Sequence, residues 1–159
     1  MALVDELLAF VDAKGLAVWI PSATNHDTLV VGLHRGLPSE YVTYGNQMSK
    51  LAIAKEKAPV YQSWREQAEV IVPKPSSSDR LPFKNWYETL GLCEIFTCPL
   101  VHERETVAVL ALYYPEQGNS EYRFKRRHAT FGLLCAQLAE HLSGTQAIYQ
   151  QAAKELENA

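Results

Sequence analysis

Cysteine is scarce in this chain: three residues in 159, an odd number that does not read as a disulfide framework. Metal-ligand spacings are missing too, since no Cys-x-x-Cys, His-Glu-x-x-His or facial-triad pattern occurs. Cys93 and Cys98 lie five apart in a strand-like run, so they point to opposite faces. His128 and His141 are thirteen apart on one predicted helix, a rotation of roughly 220°. No metal, haem or other cofactor is therefore assigned. Neither sign of charge dominates: 15 Lys and Arg against 18 Asp and Glu leave a net charge of -3, with no electrostatic footprint for nucleic acid. No apolar run approaches transmembrane length, and the N-terminus carries Asp5 and Glu6 where a signal peptide needs basic residues. The expected location is a reducing cytoplasm, with no membrane contact by this segment.

What is present is an ordinary soluble composition, 47% hydrophobic and 21% charged, in a chain of one-domain length. Its organising stretch spans residues 91–118. From Thr106 to Tyr114 the run is apolar on both parities, with Val107, Val109, Ala111 and Tyr113 on one face and Ala108, Leu110, Leu112 and Tyr114 on the other. Such a strand, stopped by Pro115, suits the centre of a sheet covered on both sides. Residues 93–102 are also strand-like, and Glu103, Arg104 and Glu105 between the two runs predict a hairpin turn.

Before this spine, Val4, Leu7, Leu8 and Val11 predict an amphipathic helix over residues 2–14, stopped by Gly15. Residues 16–20 and 28–34 predict a first hairpin. Met48, Leu51 and Ala52 predict a helix over residues 46–57, ended by Pro59. Residues 62–72 carry apolar groups without a clear period, and residues 73–80 are a loop by composition. Ser78 or Asp79 can cap a short helix whose stripe is Phe83, Trp86, Tyr87 and Leu90. After Pro115, a helix is predicted from Glu121 through Leu142, with Phe124, Phe131, Leu134, Leu138 and Leu142 inward. Its basic opening, residues 123–128, wraps more than half the circumference and reads as a solvated start. Beyond Gly144, Ile148, Ala152 and Leu156 make only a narrow stripe.

Gly91-Leu92, Cys98-Pro99-Leu100, a short polar turn and then Val107-Ala108-Val109-Leu110-Ala111-Leu112-Tyr113, followed by a long amphipathic helix, resemble the C-terminal half of a GAF domain. Gly36-Leu37-Pro38 and Lys57-Ala58-Pro59-Val60-Tyr61 resemble earlier parts of the same family, while Ala108 stands where the family usually has Gly. The resemblance implies an α+β, GAF/PAS-like fold. A central antiparallel sheet of five to six strands would carry the terminal helices on one face and pocket-forming helices and loops on the other. It further implies a domain over residues 1–144 and a signalling-helix linker over residues 145–159, leading to an effector such as a histidine kinase or a cyclase. The implied function is regulatory rather than enzymatic: a sensor that binds a small molecule and signals through its C-terminal helix, and the apolar stripes of the terminal helices predict a parallel homodimer through them.

Candidate ligand-binding residues follow from that placement: Tyr44, Trp64, Trp86 and Tyr87 as an aromatic roof, Thr97 on the strand beneath, and Asn46 and Glu94 as polar groups at the edge. A Phe-Trp-Tyr-Leu stripe at helical spacing also reads as core. Two alternatives stand beside the sensor: a ligand-free GAF dimerisation module, and an enzyme like the GAF proteins that reduce free methionine sulfoxide with cysteines. The second needs a resolving thiol within reach, and the opposed faces of Cys93 and Cys98 argue against it. None of Cys93, Cys98 and Cys135 has the neighbouring His that bilin attachment uses in related sensors.

Overall fold

The structure is a computed structural model and describes residues 1–75, 88–115 and 120–157. Within them, one antiparallel sheet runs in the order β2-β1-β5-β4-β3. Its strands are β1 (Gly15–Pro21), β2 (Leu29–Arg35), β3 (Val70–Pro73), β4 (Glu94–His102) and β5 (Glu105–Tyr114). The doubly apolar run thus occupies the middle of the sheet. Its two parities serve two separate cores. Ala108, Leu110, Leu112 and Tyr114 join α1 (Ala2–Val11) and the C-terminal helices, whereas Val109, Ala111 and Tyr113 face the opposite side. The α+β architecture and the placement of the terminal helices on one face are as expected.

Local chemistry explains the connections. Glu103 and Arg104 both take left-handed backbone angles, φ 50° and 70°, between paired His102 and Glu105, which closes the β4–β5 hairpin in two residues. Glu105, expected in the turn, already belongs to β5. In the first hairpin the register shifts at Val18/Trp19, where Val18 pairs with Leu33 and Trp19 with Val31. Gly32 is the extra residue of that bulge, and a Cβ there would stand 2.6 Å from Ile20 Cδ1 and 3.2 Å from Tyr149 Cβ. The missing side chain lets the C-terminal helix lie close against β2.

Several expected boundaries move. The helix read over residues 46–57 is two helices, α2 (Ser39–Ser49) and α3 (Ala52–Lys57), and it starts earlier because Pro38 can precede a first turn. The break follows from Leu51, whose extended backbone (ψ 145°) caps α3. The uncertain stretch, residues 62–72, holds the end of α4 (Pro59–Glu66), which starts ahead of it with Pro59 in its first turn, and then β3. The capped helix expected around Phe83, Trp86 and Tyr87 lies outside the described residues.

The long C-terminal helix is also split, into α5 (Ser120–Arg127) and α6 (Ala129–Glu157). His128 makes the division: its Nδ1 accepts the Thr130 N–H at 3.1 Å and so caps α6. No glycine or proline announces this break. It turns Phe124, expected inward, into an exposed residue (69%), and Tyr122 and Arg126 take the inward positions. Gly144 does not interrupt α6. Past it, Tyr149 and Ala153 pack on the domain and the Gln150 amide donates to Pro21 O at 2.9 Å, while Ile148 is 67% exposed.

Candidate functional site

The face of the sheet opposite the terminal helices is roofed by α2, α3 and α4. Between sheet and roof is a cavity of about 60 Å³. Its floor is Trp19 from β1, Ile95 and Thr97 from β4, and Ala111 and Tyr113 from β5. Tyr41, Tyr44, Gly45 and Ser49 of α2 form one wall, and Ala54, Pro59, Val60 and Tyr61 contribute to the other. Among the described residues, the lining contains no Asp, Glu, Lys, Arg or His. Tyr41 meets Tyr113 edge-on, with centroids 5.9 Å apart at 85°.

Two polar knots hold this roof down. At the first, Ser49 Oγ donates to Leu29 O at 2.6 Å, and the Tyr61 hydroxyl donates to Ser49 O at 2.8 Å while accepting the Leu29 N–H at 2.9 Å. Ser49 Oγ and the Tyr61 hydroxyl are themselves 2.8 Å apart. Burial raises the Tyr61 pKa, and the bonds to Ser49 and Leu29 only partly oppose that. At the second, Ser63 Oγ and Thr97 Oγ1 lie 2.7 Å apart, and Thr97 Oγ1 donates to Pro59 O at 3.3 Å. Burial likewise raises Tyr113, against smaller contributions from Tyr41 and Trp19. The Trp19 indole N–H interacts with Tyr113 without reaching hydrogen-bond geometry, and it is buried with no other partner. The described lining is neutral, aromatic and largely satisfied within itself.

The sequence-predicted residues scatter around this cavity. Tyr44 and Thr97 line it. Trp64 packs against the same core from outside the cavity lining. Asn46 is 1% exposed and its Oδ1 accepts the Val31 N–H at 2.7 Å, so it fastens α2 to β2 and leaves only a buried Nδ2 without a partner. Trp86 and Tyr87 lie outside the described residues. Glu94 requires correction. It shares the parity of Phe96 and Cys98, so it faces the terminal helices, three residues and therefore one face away from Thr97. There its Oε2 accepts from Arg126 Nη1 at 2.8 Å, and both side chains are almost wholly buried. Arg126 also stacks over the rings of Phe96 and Tyr114, at 4.4 and 5.1 Å. The basic run is therefore not wholly solvated: Arg126 turns inward, and Lys125 pairs with Asp12 at the end of α1.

Five aromatic or hydroxyl-bearing lining residues escaped sequence reasoning: Trp19, Tyr41, Ser49, Tyr61 and Tyr113. For Tyr113 a signal exists, because it alternates with Val109 and Ala111. Trp19 shares the parity of Ala17 on β1, and Tyr61 lies on α4 just before the segment without a period. Among the described residues, no three His, Cys, Asp or Glu side chains are grouped as metal ligands. No described helix is long and apolar enough to cross a membrane.

With this geometry the fold is that of a GAF domain. No protein-family model matches the chain, and no curated protein sequence matches it. Solved structures do. A GAF domain/HD domain protein from Geobacter sulfurreducens is 21% identical with a TM-score of 0.64, over 91% of this chain and 90% of that one. The GAF domain of a phosphoenolpyruvate-protein phosphotransferase from Coxiella burnetii is 15% identical with a TM-score of 0.65, over 91% and 80%. The GAF domain of a two-component sensor histidine kinase from Bacillus halodurans is 12% identical with a TM-score of 0.61, over 92% and 95%. At these identities the likeness is one of fold.

Proposed function

We propose that the chain is a regulatory sensor domain that takes a small, uncharged and mainly apolar or aromatic ligand between the sheet and α2–α4. The observation that carries this reading is the aromatic cavity itself, whose described walls offer ring faces and hydroxyls but no ionised group. About 60 Å³ is the space of a few waters, well below the ~300 Å³ of a small metabolite site. Ligand entry therefore requires the roof to lift. The short α3, set between the breaks at Leu51 and Ala58, is the natural moving part, held by Arg65, whose guanidinium donates to Lys55 O and Glu56 O. The change would reach the opposite face through β4 and β5 and leave along α6 toward an effector, with residues 145–159 as the carrier. Two of the solved relatives come from proteins described as a sensor histidine kinase and an HD domain protein, which supports a signalling setting.

A second reading, a ligand-free dimerisation module, is favoured by the same small volume. Native mass spectrometry of the purified chain separates the two. The sensor reading expects a co-purifying molecule, or a thermal shift with a panel of neutral aromatic metabolites that Gly45→Phe abolishes. Neither a bound molecule nor any shift across the panel would leave the scaffold.

A further inference from the structure

We propose that Cys98 and Cys135 form a redox pair, joined by hydroperoxides into a disulfide across the interface of β4 and α6. The argument begins with register. Phe96 of β4 and Phe131 of α6 meet edge-on, centroids 6.1 Å apart. Two residues along a strand advance roughly 6.7 Å, and four along a helix advance roughly 6 Å. One step from that aromatic contact therefore sets Cys98 opposite Cys135. Both thiols line the same open groove of about 550 Å³, together with Gln67, Glu69, Arg126 and Arg127. Cys93, the third cysteine, precedes Glu94 and has the other parity, so it stays on the far face of the sheet.

The two thiols are unequal in a useful way. Cys98 is 5% exposed, and contact with Cys135 together with burial raises its pKa well above the usual thiol value, so it stays protonated. Cys135 is half-buried and reaches the groove. Access assigns the first step to Cys135, whose sulfur, as thiolate, attacks the peroxide O–O bond to give a sulfenic acid and release water or an alcohol. The Cys98 sulfur then attacks the Cys135 sulfur. Its proton and the departing hydroxide leave as water, and the disulfide forms. Two thiols lose two electrons and two protons in all, and one hydroperoxide is reduced. The product ties α6 to the sheet at the level of the groove.

The test uses the full chain and hydrogen peroxide, with peptide mapping under non-reducing conditions. A linked Cys98–Cys135 peptide, lighter by two hydrogens and reopened by dithiothreitol, is the expected result, with Cys93 still open to alkylation. In Cys98→Ser the sulfenic acid on Cys135 should persist and be trapped by dimedone. The proposal falls if wild-type Cys135 is oxidised while Cys98 remains alkylatable. It falls equally if the link involves Cys93 or a second chain, or if neither thiol reacts. The wild-type map needs no variant to fold.

Discussion

Glu94 and Arg126 are the most consequential pair at the scale of single residues. A carboxylate and a guanidinium that water barely reaches are held by one 2.8 Å contact and two ring faces. Removing one charge leaves the other buried and uncompensated, so Glu94→Gln should destabilise the fold by about 3–5 kcal/mol in urea denaturation. The paired change Glu94→Leu with Arg126→Met should recover most of that loss, because an apolar pair costs no ionic desolvation. An additive double variant would show that the two do not act as a pair. The Tyr61 hydroxyl is a neutral counterpart on the other face. Tyr61→Phe strands the Leu29 N–H and loosens Ser49 O, so it should cost about 1–3 kcal/mol. Unchanged stability in chemical denaturation would mean that water replaces the hydroxyl.

At the scale of elements, α6 has a side that none of the described residues covers. Gly132, Leu133, Ala136, Gly144, Ala147, Ile148 and Ala152 are exposed along it, with Leu133 at 61% and Ile148 at 67%. The spacing follows a helical seam, and small residues allow close approach. A parallel homodimer through this seam is the expected assembly. Wild type should scatter light as a dimer and Leu133→Glu with Ile148→Glu as a monomer with an unchanged circular dichroism spectrum; a monomeric wild type would remove the seam. The same helix shows which signals a sequence carries. Its inner stripe of Phe131, Leu134, Leu138 and Leu142 was readable because burial imposes a 3.6-residue period. The cap at His128 was not, since any polar side chain able to accept a backbone N–H can divide a helix. On β5 both faces were readable, because a strand covered twice has no polar parity. Glu94 was misassigned for a different reason: ionised residues are expected at edges, and only the strand's parity, applied strictly, places this one beneath the helices. The pocket residues were legible in kind, aromatic and few, but not in identity, because the two breaks between α2, α3 and α4 decide which rings converge.

Across the whole molecule, His34 ties stability to pH on the acid side. His34 on β2 has its pKa lowered below 6.5, first by burial and then by the neighbouring Arg35. The unfolded chain therefore binds the proton more readily. The stabilisation from keeping His34 neutral is complete above pH 6.5 and is lost as pH falls through the lower folded value. His34→Gln should flatten the melting-temperature profile below pH 6.5, and an unaltered profile would remove His34 as its source.

Tyr113 and Tyr114 are sequence neighbours, yet the first ring touches Tyr41 above the cavity and the second stacks on Tyr122 below the sheet, centroids 4.2 Å apart. Adjacent residues thus sit in two rooms that share a wall one peptide thick. Fluorinated tyrosine at each position gives two independent resonances, one for each room. A disturbance that enters by the upper room is heard in the lower one only if the wall itself bends.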